Sequence, residues 1–252
     1  MKKNKKKINA AILIIGNEIL SGRTQDLNVS FLTNWLNNEC GISVYEVRII
    51  PDLEKKIIKN ILELKKNFDY VFTTGGIGPT HDDITAQSVS KTFSVRYEYH
   101  KEAYEILEKY YGKIKFNDGR KKMAKMPRTS KLIYNPSSSA PGFMIKNVFC
   151  LPGVPTILRS MIENCKKYLI KGKTKKSVSI NLHTVESNIA KDLKKIQKKY
   201  LSNVDIGSYP FFRLGSVGVA IVLRSSNKIK LNSCKNAVKK MIKIKKIKLF
   251  KN

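Results

Sequence analysis

Residues 73–83, with the sequence TTGGIGPTHDD, form the densest group of residues suited to chemistry. Three glycines, Gly75, Gly76 and Gly78, follow an apolar stretch, and they allow backbone N–H groups to turn toward a phosphate or a pyrophosphate. The Pro-Thr pair that comes next stiffens and caps the turn. The segment therefore predicts an anion-binding loop at the end of a strand.

Two adjacent carboxylates, Asp82 and Asp83, end this segment in a chain that has only 19 acidic residues. Carboxylates beside bound phosphates predict a divalent metal ion that bridges them to the anion. The structural alternative is that one of them caps the N-terminus of the next helix. We favour a functional site, because capping accounts for only one of the two.

A second polar loop, residues 16–28 (GNEILSGRTQDLN), carries further groups of this kind. Glu18 places a carboxylate near the end of the preceding strand, and Ser21, Asp26 and Asn28 supply short polar groups for sugar or phosphate contacts. Alternatively, Asp26 or Asn28 caps a helix and the remainder is an ordinary polar loop. The loop by itself does not decide between these interpretations.

A third pair of segments, residues 137–143 (SSSAPGF) and 151–155 (LPGVP), contains Pro-Gly turns. Alone they indicate turns, but beside the glycine loop they would form another wall of a nucleotide pocket. The three histidines form no recognisable Ser-His-Asp or Cys-His arrangement, so covalent catalysis has little support.

The elements that position these loops alternate between strands and helices. Apolar runs predict strands at residues 10–15, 43–50 and 69–74. Apolar stripes predict one helix from Leu27 that closes at Cys40-Gly41, and another that starts at Pro51-Asp52. This alternation predicts an α/β fold with a largely parallel sheet and helices on both faces. Ligands of such sheets bind beyond the carboxyl ends of the strands.

The rest of the chain is assigned from the same patterns. The predicted elements are helices at 83–93 and 100–111, strands at 132–134 and 142–151 with a turn at 146–147, and a helix at 154–169. Residues 171–176, rich in Gly, Lys and Thr, mark a domain boundary. Beyond it we predict a strand at 177–185, a helix at 186–200, strands at 204–206 and 217–223, and a helix at 231–247.

The formal net charge of +30 is unevenly distributed: +12 over residues 1–170 and +18 over residues 171–252. A basic C-terminal third is consistent with a polyanionic partner. The alternative is compositional bias, because lysine dominates the excess and arginine, the better ligand for phosphates and base edges, is scarce. We favour the second explanation.

The cysteine pattern and the N-terminus indicate a cytoplasmic protein. Four cysteines without C-x-x-C spacing predict neither a disulfide framework nor a zinc site. Residues 1–7 form a basic leader whose lysines and following apolar run imitate a signal peptide, but no small-residue cleavage pattern follows. No stretch approaches the roughly 20 apolar residues of a membrane span, so no membrane association is expected.

In this order along the chain, GNEILSGRTQDLN, TTGGIGPTHDD and LPGVP resemble the MoaB/Mog-type molybdopterin-binding domain. The resemblance is to its version in competence/damage-inducible protein A (CinA-like proteins) and, more closely still, to the N-terminal domain of eukaryotic FAD synthases. It implies a three-layer α/β/α domain over residues 8–170. Residues 176–252 contain ESNIA and IGSYP and resemble the small KH-type α/β domain that follows in CinA-like proteins.

The resemblance also implies roles for single residues. Asp82 and Asp83 are the expected catalytic residues, and Asp83 and Glu18 the expected metal ligands. The residues expected to contact the phosphates of a nucleotide or a pterin are Gly75, Gly76, Gly78, Pro79, Thr80, Ser21, Asn28, Pro152, Gly153 and Pro155.

The family implies two activities. Its members bind molybdopterin for adenylylation or, in the CinA and FAD synthase branch, hydrolyse a pyrophosphate bond with a divalent metal. We expect a pyrophosphatase that uses Mg, Mn or Co and acts on a small anionic nucleotide, with ADP-ribose and FAD as the implied substrates. Binding of molybdopterin as a ligand is the alternative, and nucleic-acid binding by the basic C-terminal domain is a third, weaker one. The family further implies a homo-oligomer.

The sequence departs from the family pattern in three respects. Asn17 stands where relatives often carry Thr or Asp. The chain contains neither the amidohydrolase domain of full-length CinA nor the FAD-synthesising domain, so neither activity is transferred. The G-x-x-G at residues 215–218 precedes a strand instead of joining two helices, which argues against KH-type RNA binding.

Overall fold

The computed structural model describes residues 7–213 and 215–250, and the chain divides into two compact units, Met1–Gly172 and Lys173–Asn252. The strands of the N-terminal unit are β1 (Asn9–Ile15), β2 (Ser43–Ile50), β3 (Tyr70–Thr74), β4 (Tyr97–Tyr99), β5 (Lys125–Pro127), β6 (Lys131–Ile133), β7 (Gly142–Ile145) and β8 (Val148–Leu151). Its α-helices are α1 (Asn17–Leu20), α2 (Asn28–Trp35), α3 (Glu54–Asn67), α4 (Thr85–Thr92), α5 (Lys101–Tyr111), α6 (Asp118–Lys122) and α7 (Pro155–Met161).

The main sheet has the strand order β2-β1-β3-β8-β7-β6. Strand β1 pairs in parallel with β2 and β3, and β3 pairs in parallel with β8. The two strands at the far edge, β7 and β6, are antiparallel. The predicted α/β fold with a largely parallel sheet is therefore confirmed.

Helices cover both faces of this sheet, as the continuously apolar β1 predicts. Ala11, Leu13 and Ile15 are buried in a core with side chains of α3, α4 and α5. The alternate side chains of β1 lie in a second core with α2 and α7. Because successive strand residues point to opposite faces, one short run builds the middle layer of a three-layer domain.

The ends of several elements follow from local chemistry. A π-helical turn, Leu36–Cys40, extends α2, and Gly41 then adopts a φ of 70°, which supports the predicted glycine stop. The single helix predicted over residues 154–169 is instead α7 followed by a 3-10 helix, Ile162–Tyr168. The patterns did not predict β4, β5 and α6, because elements of three to five residues are too short to show periodicity.

The C-terminal unit contains β9 (Lys176–Leu182), α8 (Glu186–Tyr200), β10 (Asp205–Arg213), β11 (Ser216–Ser225) and α9 (Lys228–Ile244). Its antiparallel sheet has the order β10-β11-β9, and side chains of α8 and α9 share one core with the sheet. The predicted strand ends seven residues before the end of β10, because Gly207 and Pro210 interrupt the strand pattern. Proline is tolerated in an edge strand, and β10 is one.

The G-x-x-G segment begins in the turn between β10 and β11, as the sequence predicts, and does not join α8 to α9. The KH-type assignment of this unit stays a prediction. Within the described residues, every helix is too short or too polar to cross a bilayer.

Candidate functional site

Four loops meet at one edge of the main sheet because four neighbouring strands run parallel. Strands β2, β1, β3 and β8 are adjacent and end with their carboxyl ends on the same side. The loops that follow them begin at Pro51, Gly16, Gly75 and Pro152. All three motifs found in the sequence therefore leave the sheet at the position where α/β proteins bind ligands.

The backbone of the glycine loop adopts a conformation that leaves no room for a side chain at Gly75 or Gly76. Gly75 has a φ of 98° and Gly76 a φ of 68°, both in the region that favours glycine. A Cβ atom on Gly75 would lie 2.0 Å from the carbonyl oxygen of Ile15, and one on Gly76 would lie 2.2 Å from the Oγ1 atom of Thr85. The two glycines are thus needed both for the backbone conformation and for close packing against β1 and α4.

Asp82 and Asp83 organise the loop around Thr80. The Oδ2 atom of Asp83 accepts a hydrogen bond from the Thr80 amide at 2.8 Å. The Thr80 hydroxyl lies 2.6 Å from a carboxylate oxygen of each aspartate, and this contact lowers the pKa of Asp82. Helix α4 begins at Thr85, and no side chain caps its N-terminus. The capping alternative therefore fails, although Asp83 does stabilise the turn itself.

Some polar residues of the loop after β1 form local hydrogen bonds, and one, Asn28, contacts the loop after β8. Glu18 lies in α1 and is exposed, and the Ser21 hydroxyl donates to the Glu18 carbonyl oxygen at 3.2 Å. Asp26 precedes Leu27, the N-cap residue of α2, and its Oδ1 atom accepts a hydrogen bond from the Val29 amide in the first turn at 2.8 Å, which is close to the capping interpretation of the sequence. Asn28 has another function: it is buried, and its Nδ2 atom donates to the Gly153 carbonyl oxygen at 2.7 Å.

The Leu-Pro-Gly-Val-Pro segment closes the other side of the glycine loop. The Gly75 amide donates to the Leu151 carbonyl oxygen at 3.1 Å, and a Cβ atom on Gly153 would approach the Gly75 Cα atom to 3.3 Å. Pro155 is the first residue of α7, where its missing N–H is not needed. The fold thus brings this segment beside the glycine loop, which was the condition for it to form a wall. Of the other Pro-Gly segment, Pro141 borders a small cavity next to Gly78.

Asp52 joins this edge, and the sequence analysis did not single it out. Its Oδ2 atom accepts a hydrogen bond from the Asn17 amide at 2.8 Å, which ties the end of β2 to α1. Partial burial raises the pKa of Asp52, and the nearby carboxylates of Glu18 and Asp82 raise it further. The sequence does carry a signal for this position, since Asp52 follows a predicted strand, although the Pro-Asp pair by itself predicts only the start of a helix.

Two lysines from a distant part of the chain also reach the glycine loop. Lys122, at the end of α6, donates to the Thr80 carbonyl oxygen. Lys122 and Lys125 line a cavity of about 10 Å³ together with Gly78 and Asp83, which is at the lower limit for one water molecule. The sequence offered no signal for this contact, because it depends on the packing of short elements.

The carboxylates of this edge do not form a preassembled metal centre. Within the described residues, no group of three or more His, Cys, Asp or Glu side chains is arranged to hold a metal ion. Glu18 and Asp82 both act electrostatically on Asp52, whereas Asp83 is directed toward Thr80 and the small cavity. Such a set suits a cation that takes one or two protein carboxylates and completes its shell with phosphate oxygens and water.

The fold is that of an α/β protein with a candidate ligand site at the carboxyl ends of a parallel sheet, and comparison with known proteins gives the family. Residues 11–172 match the model described as "Probable molybdopterin binding domain", and the chain belongs to this family. Residues 176–251 match a second model, "FAD synthase, middle domain".

Individual relatives support the assignment. A protein of Archaeoglobus fulgidus is 32% identical over 87% of this chain and 92% of its own length. A CinA-like protein of Prochlorococcus marinus is 28% identical over 92% of this chain but only 57% of its own length. The crystal structure of the protein CinA from Thermoplasma acidophilum, 32% identical, superposes with a TM-score of 0.61 over 65% of this chain and 99% of that one.

Proposed function

We propose that this protein is a metal-dependent pyrophosphatase that cleaves a dinucleotide-type substrate such as ADP-ribose or FAD. One observation carries the proposal: a bare glycine loop lies beside carboxylates that have no cationic partner. In the described part of the chain, the amides of Gly76, Ile77 and Gly78 donate to no protein acceptor. Free backbone amides in a glycine-rich loop suit a phosphate group.

The loop would bind the pyrophosphate through these amides. Gly75 is fixed by the Leu151 carbonyl and Gly76 by the Thr85 amide, so the segment between them and Thr80 is presented by a rigid frame. Lys122 lies next to this segment and adds positive charge. Preorganised donors of this kind stabilise the charge that develops on phosphate oxygens in the transition state.

Glu18 and Asp82 would hold a divalent cation together with the phosphate oxygens, and Asp52 would add negative charge behind them. Burial is the largest cause of the raised pKa of Asp52, and repulsion from Glu18 and Asp82 raises this pKa further. A bound cation would relieve the repulsion. Asp83 stays a candidate ligand through its second oxygen, since Oδ2 is engaged by Thr80. A bound cation would neutralise phosphate charge and lower the pKa of a coordinated water molecule.

Hydrolysis would then proceed without a covalent intermediate. Water attacks one phosphorus atom of the pyrophosphate, the bridging P–O bond breaks, and the proton of the attacking water is released to solvent or to a carboxylate of this edge. ADP-ribose would give AMP and ribose 5-phosphate, and FAD would give AMP and FMN. The described site contains no cysteine thiol that could replace water, because the four cysteines are buried in the cores.

The test is AMP release from ADP-ribose or FAD by the purified protein with Mg²⁺, Mn²⁺ or Co²⁺. Asp82→Ala should abolish it, whereas Asp205→Ala, which changes an exposed acid of the C-terminal unit, should retain it. Absence of AMP with every metal would refute the proposal. Equal loss in both variants would assign the effect to something other than this site.

A pterin ligand is the second candidate, and the description of the matching family model favours it. A phosphorylated pterin would use the same glycine loop for its phosphate. Isothermal titration with molybdopterin, and an assay for its adenylylation with ATP, would distinguish the two functions. Tight pterin binding without pyrophosphate hydrolysis would replace the first proposal by the second.

A further inference from the structure

The antiparallel sheet of the C-terminal unit has one face packed against helices and one exposed face. Ile221 and Leu223 of β11 are buried with side chains of α8 and α9. Because side chains alternate along a strand, the residues between them lie on the opposite face. Cross-strand pairing places Tyr209 of β10 and Asn181 of β9 on either side of Ala220 on that face. This open sheet face consists of residues 177, 179 and 181 of β9, residues 205, 207, 209, 211 and 213 of β10, and residues 216, 218, 220, 222 and 224 of β11.

Two aromatic side chains of β10 rest on glycines of the open sheet face. A Cβ atom on Gly207 would lie 2.7 Å from the Tyr209 ring, and one on Gly218 would overlap the Phe211 ring. The glycines therefore let both rings lie against the backbone of the sheet. Tyr209 remains 48% exposed, so part of its ring is accessible to a ligand. Gly218 is the last residue of the G-x-x-G segment, which thus supports a ring instead of joining two helices.

The last residues of the described chain add a third aromatic side chain. The Phe250 amide donates to the Asn181 carbonyl oxygen at 2.9 Å, so this segment lies along the outer edge of β9. The centroid of the Phe250 ring lies 5.1 Å from that of Phe211 and 3.5 Å from that of His183, on which it stacks. His183 is itself exposed. Aromatic rings therefore extend across the sheet from β10 to the edge of β9.

Both arginines of the C-terminal unit also lie on the open sheet face. Arg213 and Arg224 are the only arginines after residue 172, where lysine otherwise supplies the positive charge. Both are exposed: Arg213 pairs with Ser216 beside the β10–β11 turn, and Arg224 pairs with Asp205 at the other end of the hairpin. Asp205 itself forms an ion pair with Lys175 at 2.7 Å. Because a guanidinium group binds phosphates in a bidentate manner and stacks on planar rings, this face combines aromatic surfaces with groups suited to nucleotides.

We propose that the open sheet face binds single-stranded RNA, independently of the candidate site in the N-terminal unit. Unpaired bases stack on the exposed Tyr209 ring and on the aromatic rings beside it. Arg213 and Arg224 bind phosphates at the two ends of the hairpin, which are about 27 Å apart because eight residue steps of about 3.4 Å separate them. Serine and asparagine side chains of β9 lie on the same face and suit the 2′-hydroxyl groups that distinguish RNA from DNA. The lysines of this unit attract the strand without selecting its bases.

Fluorescence anisotropy of a labelled oligouridine of about 12 nucleotides, titrated with the full chain at physiological salt, tests this proposal. Binding should be tighter than to oligodeoxyuridine of the same length. It should also be tighter than to the duplex of oligouridine with oligoadenylate, whose bases are not free to stack on protein rings. Tyr209→Ala should weaken binding by roughly tenfold, the loss expected for one stacked base, whereas Tyr209→Phe should retain it. Arg213→Ala should lower the slope of log affinity against log salt by about 0.7, the value for one phosphate contact on a single strand.

Two matched controls change an exposed tyrosine and an exposed lysine outside the open sheet face. Tyr110→Ala on α5 and Lys195→Ala on α8 should each alter the affinity by less than about twofold. Circular dichroism of each variant verifies folding. A chain that binds no oligonucleotide, or that binds the duplex as tightly as the single strand, would overturn the proposal. Equal losses in Lys195→Ala and Tyr209→Ala would also overturn it, because binding would then follow surface charge alone. Equal affinity for the DNA strand would overturn the assignment to RNA.

Discussion

The acidic residues of the two units have different kinds of partners. In the C-terminal unit, Asp205 pairs with Lys175 at 2.7 Å and Asp192 with Lys245 at 3.0 Å. The third acid, Glu186, accepts a hydrogen bond from a serine hydroxyl at 2.6 Å. Every acid of this unit is thus satisfied by a neighbour, and the surplus of lysines remains on the surface.

At the ligand edge of the N-terminal unit, Asp52, Asp82 and Asp83 also accept hydrogen bonds, but only from neutral amide and hydroxyl groups. Glu18, Asp52, Asp82 and Asp83 have no lysine or arginine nitrogen within 4.0 Å among residues 7–213 and 215–250. This occurs in a chain with 49 basic residues, where a carboxylate could easily find a partner. The informative charges are therefore the acids of this edge that form no ion pair within the described residues, and not the +30 as a whole.

The largest effect should come from adding a methyl group at the glycine loop. Gly75→Ala should lower the free energy of unfolding by at least about 3 kcal/mol, because a left-handed backbone and a 2.0 Å overlap with Ile15 act together. Gly215→Ala in the C-terminal unit has a similar φ, but its Cβ atom meets nothing within 4 Å. It should cost only about 1 kcal/mol. Urea unfolding of both variants measures the contrast, and equal losses would contradict it.

Removing the charge of Asp82, which forms no ion pair within the described residues, should reduce turnover and have little effect on stability. Asp82→Asn should reduce pyrophosphate hydrolysis by about 100-fold, since its charge is expected to hold the cation. The melting temperature should change little, because Asp82 is exposed and an asparagine can still accept the hydrogen bond from the Thr80 hydroxyl. Asp205→Asn removes a carboxylate that already has a partner and should leave turnover intact. If both variants hydrolyse equally well, the distinction between paired and unpaired acids has no catalytic meaning.

Loss of the hydrogen bond between Asn28 and Gly153, which joins two loops of the candidate site, should have an intermediate effect on stability. Asn28→Ala leaves the Gly153 carbonyl without its donor and should lower stability by about 1–3 kcal/mol. Asn188→Ala removes an exposed 3.3 Å contact in the C-terminal unit and should change stability by less than about 0.5 kcal/mol. Thermal unfolding of the two variants provides the comparison. A tolerant Asn28 would mean that the loops after β1 and β8 are held together by other contacts.

The smallest effect concerns the pH dependence of stability. Because the pKa of Asp52 is raised in the folded state, its ionised form is disfavoured by folding. Its contribution to stability is therefore favourable below the ordinary carboxyl pKa and is lost as pH rises through the folded-state value. Asp52→Asn should gain stability relative to wild type at neutral pH, and the gain should vanish at acidic pH. A gain that is independent of pH would exclude the carboxylate as its cause.

The fold was predictable where elements are long or strongly patterned. The run of apolar residues in β1, the stripe on α3 and the glycine after Cys40 each predict the observed element within a few residues. The site followed from the same information, because motifs after parallel strands must lie at one edge. The alternative of a helix cap by Asp82 or Asp83 does not hold, because both carboxylates lie within hydrogen-bond distance of the Thr80 hydroxyl and no side chain caps α4.

The features of the candidate site that the sequence did not predict depend on contacts between residues far apart in the chain. Asp52 and Asn17 are joined by a hydrogen bond between two loops, and neither has a pattern that announces it. Lys122 reaches Thr80 only because the short α6 packs beneath the glycine loop, as the close approach of Gly119 to Pro79 shows. Lysine is common throughout the chain, so composition could not distinguish this one.

The position of β8 also has a consequence for the order in which the domain folds. Strand β8 lies between β3 and β7, and Val71 pairs with Val148, so a central strand of the sheet is made late in synthesis. Until it arrives, the nascent chain has a β3 with one open edge and a glycine loop without its second wall. Contacts between segments this far apart in the sequence form slowly, and the candidate site therefore becomes complete only after the segment around Gly153 has left the ribosome.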